Sequence, residues 1–204
     1  MTSALARAPA ARCYAARVIE TDITRALLVA MPQLQDPNFR RAVVQLIDHG
    51  DQGSFGLVLN REVDLTASDL CESLELDWQG EADVRVRWGG PVQGNTGWVL
   101  FGDDVGLDVS SQVAQRVIPG ISFAGSLAVL EEVAQRPPDD VCLFLGYAGW
   151  GPGQLESEIA AGAWLLAPAS ADVVFAVEPE AMWSHVVRSL GIDPATLVPT
   201  SGVH

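Results

Sequence analysis

The 204-residue chain is 49% hydrophobic, 7% aromatic and 19% charged, a globular composition with enough apolar residues for one domain around a substantial core. Its 12 basic residues are all Arg, none Lys, and face 26 acids, for a net charge of −14. That excludes chemistry requiring a lysine, such as a phosphate-binding loop or a Schiff base, and argues against direct contact with DNA or RNA, whose phosphates need a basic face.

Residues 1–17 are Ala-rich, carry Arg7, Arg12 and Arg17 and no acid, and read as a flexible basic arm; an organelle transit peptide is the alternative. Residues 18–204 read as a single domain with nine Arg against 26 acids. Cys13, Cys71 and Cys142 match neither a zinc pattern nor a redox pair, which suits a reducing, cytoplasmic setting. No apolar run has membrane-spanning length, so no membrane association is expected.

Arg25–Ala30 is short and continuously apolar, as a buried strand is. Asp36-Pro37-Asn38 marks a turn. Ala42–Asp48 and Ser54–Asn60 form a predicted hairpin around a loop at 49–53, with Gly56 at a bulge or close approach. Thr66–Leu76 has helical spacing, with Thr66 or Ser68 as N-cap and Ala67, Leu70 and Leu74 on one side. Val84–Trp88 alternates apolar and charged residues, which predicts a half-exposed strand broken by Gly89-Gly90-Pro91. Thr96–Phe101 is another strand. Ser126–Gln135 is an amphipathic helix that stops before Pro137. Val141–Tyr147 is the most apolar segment and the predicted central strand. A Gly-rich bend, Ala148–Gly153, leads into a helix at Gln154–Ala161. Ala163–Ala167 and Ala171–Val177 read as short strands or extended links. Pro179–Leu190 is the last helix, closed by Gly191. Hairpins first and helices later give an α+β fold, with a mixed but mostly antiparallel sheet.

Residues able to carry chemistry are few. A nucleophile elbow is absent; Gly53-Ser54-Phe55-Gly56 and Gly120-Ile121-Ser122 have the wrong spacing. The histidines are His49 beside Asp48 at a hairpin, His185 on the solvent side of a helix, and His204 at the end. His49 reads as a turn histidine bonded to backbone; the alternative is a catalytic histidine beside an acid, which requires a nucleophile within hydrogen-bond reach. No His, Cys, Asp or Glu cluster has metal-ligand spacing; Glu156 and Glu158 point to different sides of their helix, and Asp103-Asp104 and Asp139-Asp140 read as solvated loops. No cofactor or metal is expected.

Three bends end predicted strands: Asn60-Arg61, Gly89-Gly90-Pro91, and Tyr147 to Glu156 with Gly149, Trp150, Gly151, Gly153 and Gln154. Glycines that permit close approach, ahead of a helix start, form a cradle for an anion, with Arg61 as its clamp and Asp36 nearby. The competing account is a tight reversal with Trp150 packed over its own core and Arg61 paired to an acid.

Leu28-Val29-Ala30-Met31-Pro32, Asp36-Pro37-Asn38-Phe39, Gly56-Leu57-Val58-Leu59-Asn60-Arg61, Gly89-Gly90-Pro91-Val92 and the run Gly146 to Glu156 together resemble the YqgE/AlgH family over residues 25–190. The resemblance implies a bacterial, cytosolic α+β protein with a bifurcated sheet folded into a pseudo-barrel and flanked by helices. Some members are described as transcriptional regulators, and no catalytic residues carry over. This chain departs from the pattern at Glu62, where Pro is expected, and at Phe101, where many relatives have His.

The expectation is a non-catalytic regulatory or binding module, monomeric or weakly dimeric. It acts through a protein partner or a small anionic ligand rather than by touching nucleic acid. The alternatives are an enzyme acting on an anionic or phosphorylated metabolite at the candidate cleft, and a structural interaction partner that buries Trp88 or Trp150.

Overall fold

The computed structural model describes residues 23–102 and 114–197. The basic arm, Cys13, Asp103-Asp104 and His204 lie outside the described residues. The fold is built around β9 (Val141–Trp150), whose apolar, charge-free sequence suits a strand covered on both faces. Its first half pairs antiparallel with β6 (Val92–Phe101) and, at Phe144 and Leu145, in parallel with β5 (Arg85–Trp88). Its second half, Ala148–Trp150, pairs antiparallel with β3 (Gly53–Val58). Gly146, at φ +73°, interrupts the pleat between the halves, so one strand serves neighbours that diverge from it. This is the bifurcation of the sheet.

From β3 the sheet continues through β2 (Val43–Gly50) and β1 (Ala26–Ala30) to β10 (Trp164–Pro168). From β6 it continues through β8 (Ile121–Ala124) to β7 (Ala114–Ile118), while β4 (Glu62–Thr66) hangs on β5. The Gln115 amide of β7 reaches the Ile47 carbonyl of β2, 3.4 Å away, across the curl of the sheet. Apart from the β5–β9 pair, every pairing among the described residues is antiparallel.

Strand faces alternate between cores. Val43 and Ile47 of β2 join the inner core, which also takes Met182, Trp183, Val186 and Val187 from the helix α4 (Pro179–Ser189). Val44 and Leu46 face the other way, into a core holding Trp150, Trp164 and Leu155 of α3 (Gln154–Ala160). A third core packs α1 (Ala67–Ser73) and α2 (Leu127–Gln135) on the outer side of β6 and β9. Both of these helices begin at the expected caps. The Thr66 hydroxyl accepts the Asp69 amide at 3.1 Å, and the Asp69 carboxylate accepts the Thr66 amide in return. Those bonds hold the Asp69 carboxyl below its ordinary range, so this cap is intact at neutral pH and weakens in acid. The Ser126 hydroxyl caps α2 through the Val129 amide.

The structure departs from the sequence-based expectation at several elements. Strand β4 and the β7–β8 hairpin are additional; Pro119-Gly120 with Gly120 at φ +85° turns the latter. Strand β9 runs through Ala148-Gly149-Trp150 instead of bending there, and β6 starts at Val92 rather than Thr96. Asp172–Ala176 is a wide π-helical turn rather than an extended link. Within Val84–Trp88, Arg87 is not solvated: it is 9% exposed, because β5 lies between β4 and β9 and the π turn covers it. No helix among the described residues is long and apolar enough to cross a membrane.

Candidate functional site

The three predicted bends meet. Asn60 leaves β3 and staples the incoming end of β2: its carbonyl accepts the Val43 amide at 2.8 Å and its amide donates to Arg41 O at 2.9 Å. Arg61 Nη2 donates to both Pro37 O and Arg40 O at 3.1 Å, and the guanidinium lies 5.6 Å over the Trp88 ring. Asp36 shapes the same loop by accepting the Asn38 amide at 2.8 Å. Arg61 therefore clamps a backbone loop. Arg61→Ala is expected to lower unfolding stability by about 1–2 kcal/mol in urea, as two charge-assisted bonds to carbonyls are lost.

Gly89 and Gly90 carry the second bend against β9. The Gly89 amide donates to Leu145 O and its carbonyl accepts the Val58 amide, both at 2.8 Å, so one residue joins β3 to β9. A Cβ on Gly90 would collide with the backbone of Tyr147 and Ala148. Pro91 is exposed beyond this contact. Tyr147 packs in an aromatic group with Phe55 and Trp98, at centroid distances of 5.0 and 6.1 Å.

The third bend is tied by Glu158. Its Oε2 accepts the indole N–H of Trp150 at 3.0 Å and of Trp164 at 2.8 Å; its Oε1 accepts the Gln154 amide at 2.8 Å. Gln154 in turn accepts the Gly151 amide at 3.0 Å. Phe39, from the loop that Arg61 holds, stacks on Trp150 at 6.0 Å and meets Trp164 edge-on at 5.6 Å. Gly149 lies within β9 opposite Phe55, and Gly153 turns into α3 at φ +72°. These corners form one interlocked knot, and its principal polar side chains bond to one another or to nearby backbone.

Glu156 points away from the knot, to 3.8 Å from His49 Nε2, while His49 Nδ1 lies 2.8 Å from the Ser54 hydroxyl. Sequence spacing gave no sign of the serine–histidine contact, because it arises from the cross-strand register of β2 and β3. His49 and Ser54 are directly opposed near the hairpin end, so a hydroxyl does lie within hydrogen-bond reach of this histidine, and the same bond staples the hairpin.

Cys71 and Cys142 are buried, and burial pushes both thiols up, with the Arg87 charge partly opposing this at Cys142. Both stay protonated and unreactive at neutral pH. Among the described residues no group of three or more His, Cys, Asp and Glu is placed to hold a metal.

A hollow does open elsewhere, between α1, α2 and the outer face of β6 and β9. Its volume is about 370 Å³, and Leu70, Leu74, Leu127, Leu130, Val99 and Leu143 are prominent in its apolar lining. Leu74 and Leu127 stand 43% and 54% exposed at its walls. Trp98 borders it as well, but its ring packs with Phe55, Phe123 and Tyr147 of the inner core, and its indole N–H is fully buried there. None of the thirteen predicted cleft residues lines it. The readable sign was Leu70 and Leu74 on one side of the first helix; that stripe is only partly covered.

The AlgH-like family model (DUF179) matches residues 27–195. A UPF0301 protein of Myxococcus xanthus is 42% identical over 179 residues, covering 87% of this chain and 96% of the relative. One from Ruegeria pomeroyi is 40% identical over 184 residues, covering 89% and 98%. The solution structure of the AlgH protein of Pseudomonas aeruginosa superposes with a TM-score of 0.71 at 33% identity, covering 91% of this chain and 97% of that one. With the bifurcated, curled sheet and the glycine-mediated contact between β5 and β9 in view, the chain belongs to the AlgH-like, UPF0301 family.

Proposed function

We propose that the protein is a non-catalytic binding module whose ligand seat is the apolar hollow between α1, α2 and the sheet. The observation that carries this reading is the hollow itself. Its volume of about 370 Å³ lies within the range of about 300–1,000 Å³ usual for small-molecule sites. Its lining is mainly apolar, with a few polar groups from Asn95, Thr96 and Ser126, and exposed leucines mark its edge. The ligand that fits is small, neutral and mostly apolar. A charged carboxylate is disfavoured because no basic side chain lines the hollow. Regulation, where this protein exerts it, then runs through that ligand or a protein partner, in keeping with a body too acidic to dock on nucleic acid.

The test uses N-phenyl-1-naphthylamine, a neutral fluorophore that brightens in apolar surroundings. Saturable enhancement is expected in the native protein. Gly97 lines the hollow and has open space where a Cβ would stand, so Gly97→Leu fills the seat without a backbone clash. This variant is expected to keep its fold and lose the enhancement, whereas Arg61→Ala keeps it. Equal enhancement in native protein and Gly97→Leu overturns the reading.

A further inference from the structure

A second, smaller cavity of about 150 Å³ lies on the other side of β5, between β4 and the start of α4. Arg87 lines it and is nine-tenths buried, with 9% of its surface exposed. Its Nη1 donates to Val174 O at 3.0 Å, a carbonyl of the π turn. No carboxylate among the described residues comes within 4.0 Å of this guanidinium. Glu62 is its cross-strand partner and lines the same cavity, yet the two side chains do not pair. A buried permanent charge with one neutral partner is an expensive arrangement, normally relieved by a counter-ion and further hydrogen bonds. A planar guanidinium offers five N–H donors, and a bidentate oxyanion is their natural complement.

The opposite wall is the first turn of α4, an eleven-residue helix whose N-cap, Glu178, makes no side-chain capping bond. Pro179, the first residue of that helix, has no N–H to offer, and Glu178 and Glu180 carry negative charge at the same end, so the anion-binding donors of the cavity come from Arg87. The remaining charges at the wall are Arg85, which Asp64 holds at 3.0 Å, and the carboxylates of Glu62 and Glu178.

We infer that this cavity is a binding site for a phosphate-type oxyanion, seated on Arg87 at the start of α4, with Glu62 and Glu178 tempering its affinity. The site is independent of the apolar hollow. Its size fits a single phosphate group, free or as the terminus of a larger molecule.

The experiment is calorimetric titration of the full chain at low ionic strength, with inorganic phosphate in one arm and glycerol 3-phosphate in the other. Saturable binding with a Kd of about 1 mM or tighter is expected in at least one arm. The stronger arm tells whether the free ion or a phosphorylated molecule is the ligand. Arg87→Met replaces the buried charge by an apolar chain, a change folds tolerate well, and is expected to weaken binding at least roughly tenfold. Glu178→Gln is expected to tighten it roughly two- to five-fold. Gly97→Leu is expected to bind as the native chain does, so loss of the fluorophore site and loss of this site are separately visible. Absence of saturable binding in both arms overturns the inference. Equal affinity in native protein and a folded Arg87→Met variant does so as well.

Discussion

Gly90→Ala is expected to remove the folded state under ordinary conditions. The added methyl would collide with the backbone of Tyr147 and Ala148, and Gly90 already sits at φ +152°, where a side chain is strained. Neither partner is a side chain that can swing aside. Relief requires β5 and β9 to separate, which breaks the bonds from Gly89 to Leu145 O and from Val58 to Gly89 O. The expected loss is about 4 kcal/mol or more, a large share of the roughly 5–15 kcal/mol that domains possess. Gly94→Ala is the control, since a Cβ there meets nothing within 4 Å. It is expected to stay within about 0.5 kcal/mol of the native protein. Urea unfolding of both variants, with soluble yield, measures the contrast.

Glu158→Ala is expected to have the second-largest effect. One carboxylate accepts both indole N–H groups of Trp150 and Trp164, which are 5% and 2% exposed. Truncation leaves two buried donors without an acceptor, at about 1–3 kcal/mol each. It also frees the Gln154 amide, which is exposed and finds water. The expected loss is about 3–4 kcal/mol. Glu158→Gln keeps one carbonyl acceptor and is expected to lose about half as much. Tryptophan fluorescence during unfolding gives the stability and reports the environment of the two rings.

Both predictions rest on motifs that were plain in the sequence but whose purpose was not. Gly89, Gly90 and Gly146 are places of close approach, where the approaching group is backbone of the same sheet, whereas nothing comes within 4 Å of a Cβ at Gly153. Backbone contact between β9 and the link that follows β5 accounts for Gly89, Gly90 and Gly146. Arg61 read as a cation in search of a partner, and the structure supplies carbonyls of the loop at 37–40 instead of an acid. The caps Thr66 and Ser126, the core strand from Val141 and the last helix with its closing Gly191 were legible because their signals are local. Arg87 was misread as solvated because alternation reveals which residues share a face but says nothing of what later covers it. The π turn some ninety residues on provides that cover. The apolar hollow escaped for a related reason. Its walls come from residues 70–74, 95–99, 124–130 and 143–145, each segment an ordinary stretch of core or helix on its own.

In the function proposed above, the family's recognisable corners hold the sheet together while the ligand seat lies on the outer face beneath α1 and α2. Methyl NMR of the native chain titrated with N-phenyl-1-naphthylamine tests this directly. The predicted result is a set of saturable shifts at Leu70, Leu74, Val99, Leu127, Leu130 and Leu143, with the methyls of Leu28, Val44, Ala148 and Leu155 around the Trp150 knot unmoved. Shifts centred on that second group, with the first group silent, would contradict it.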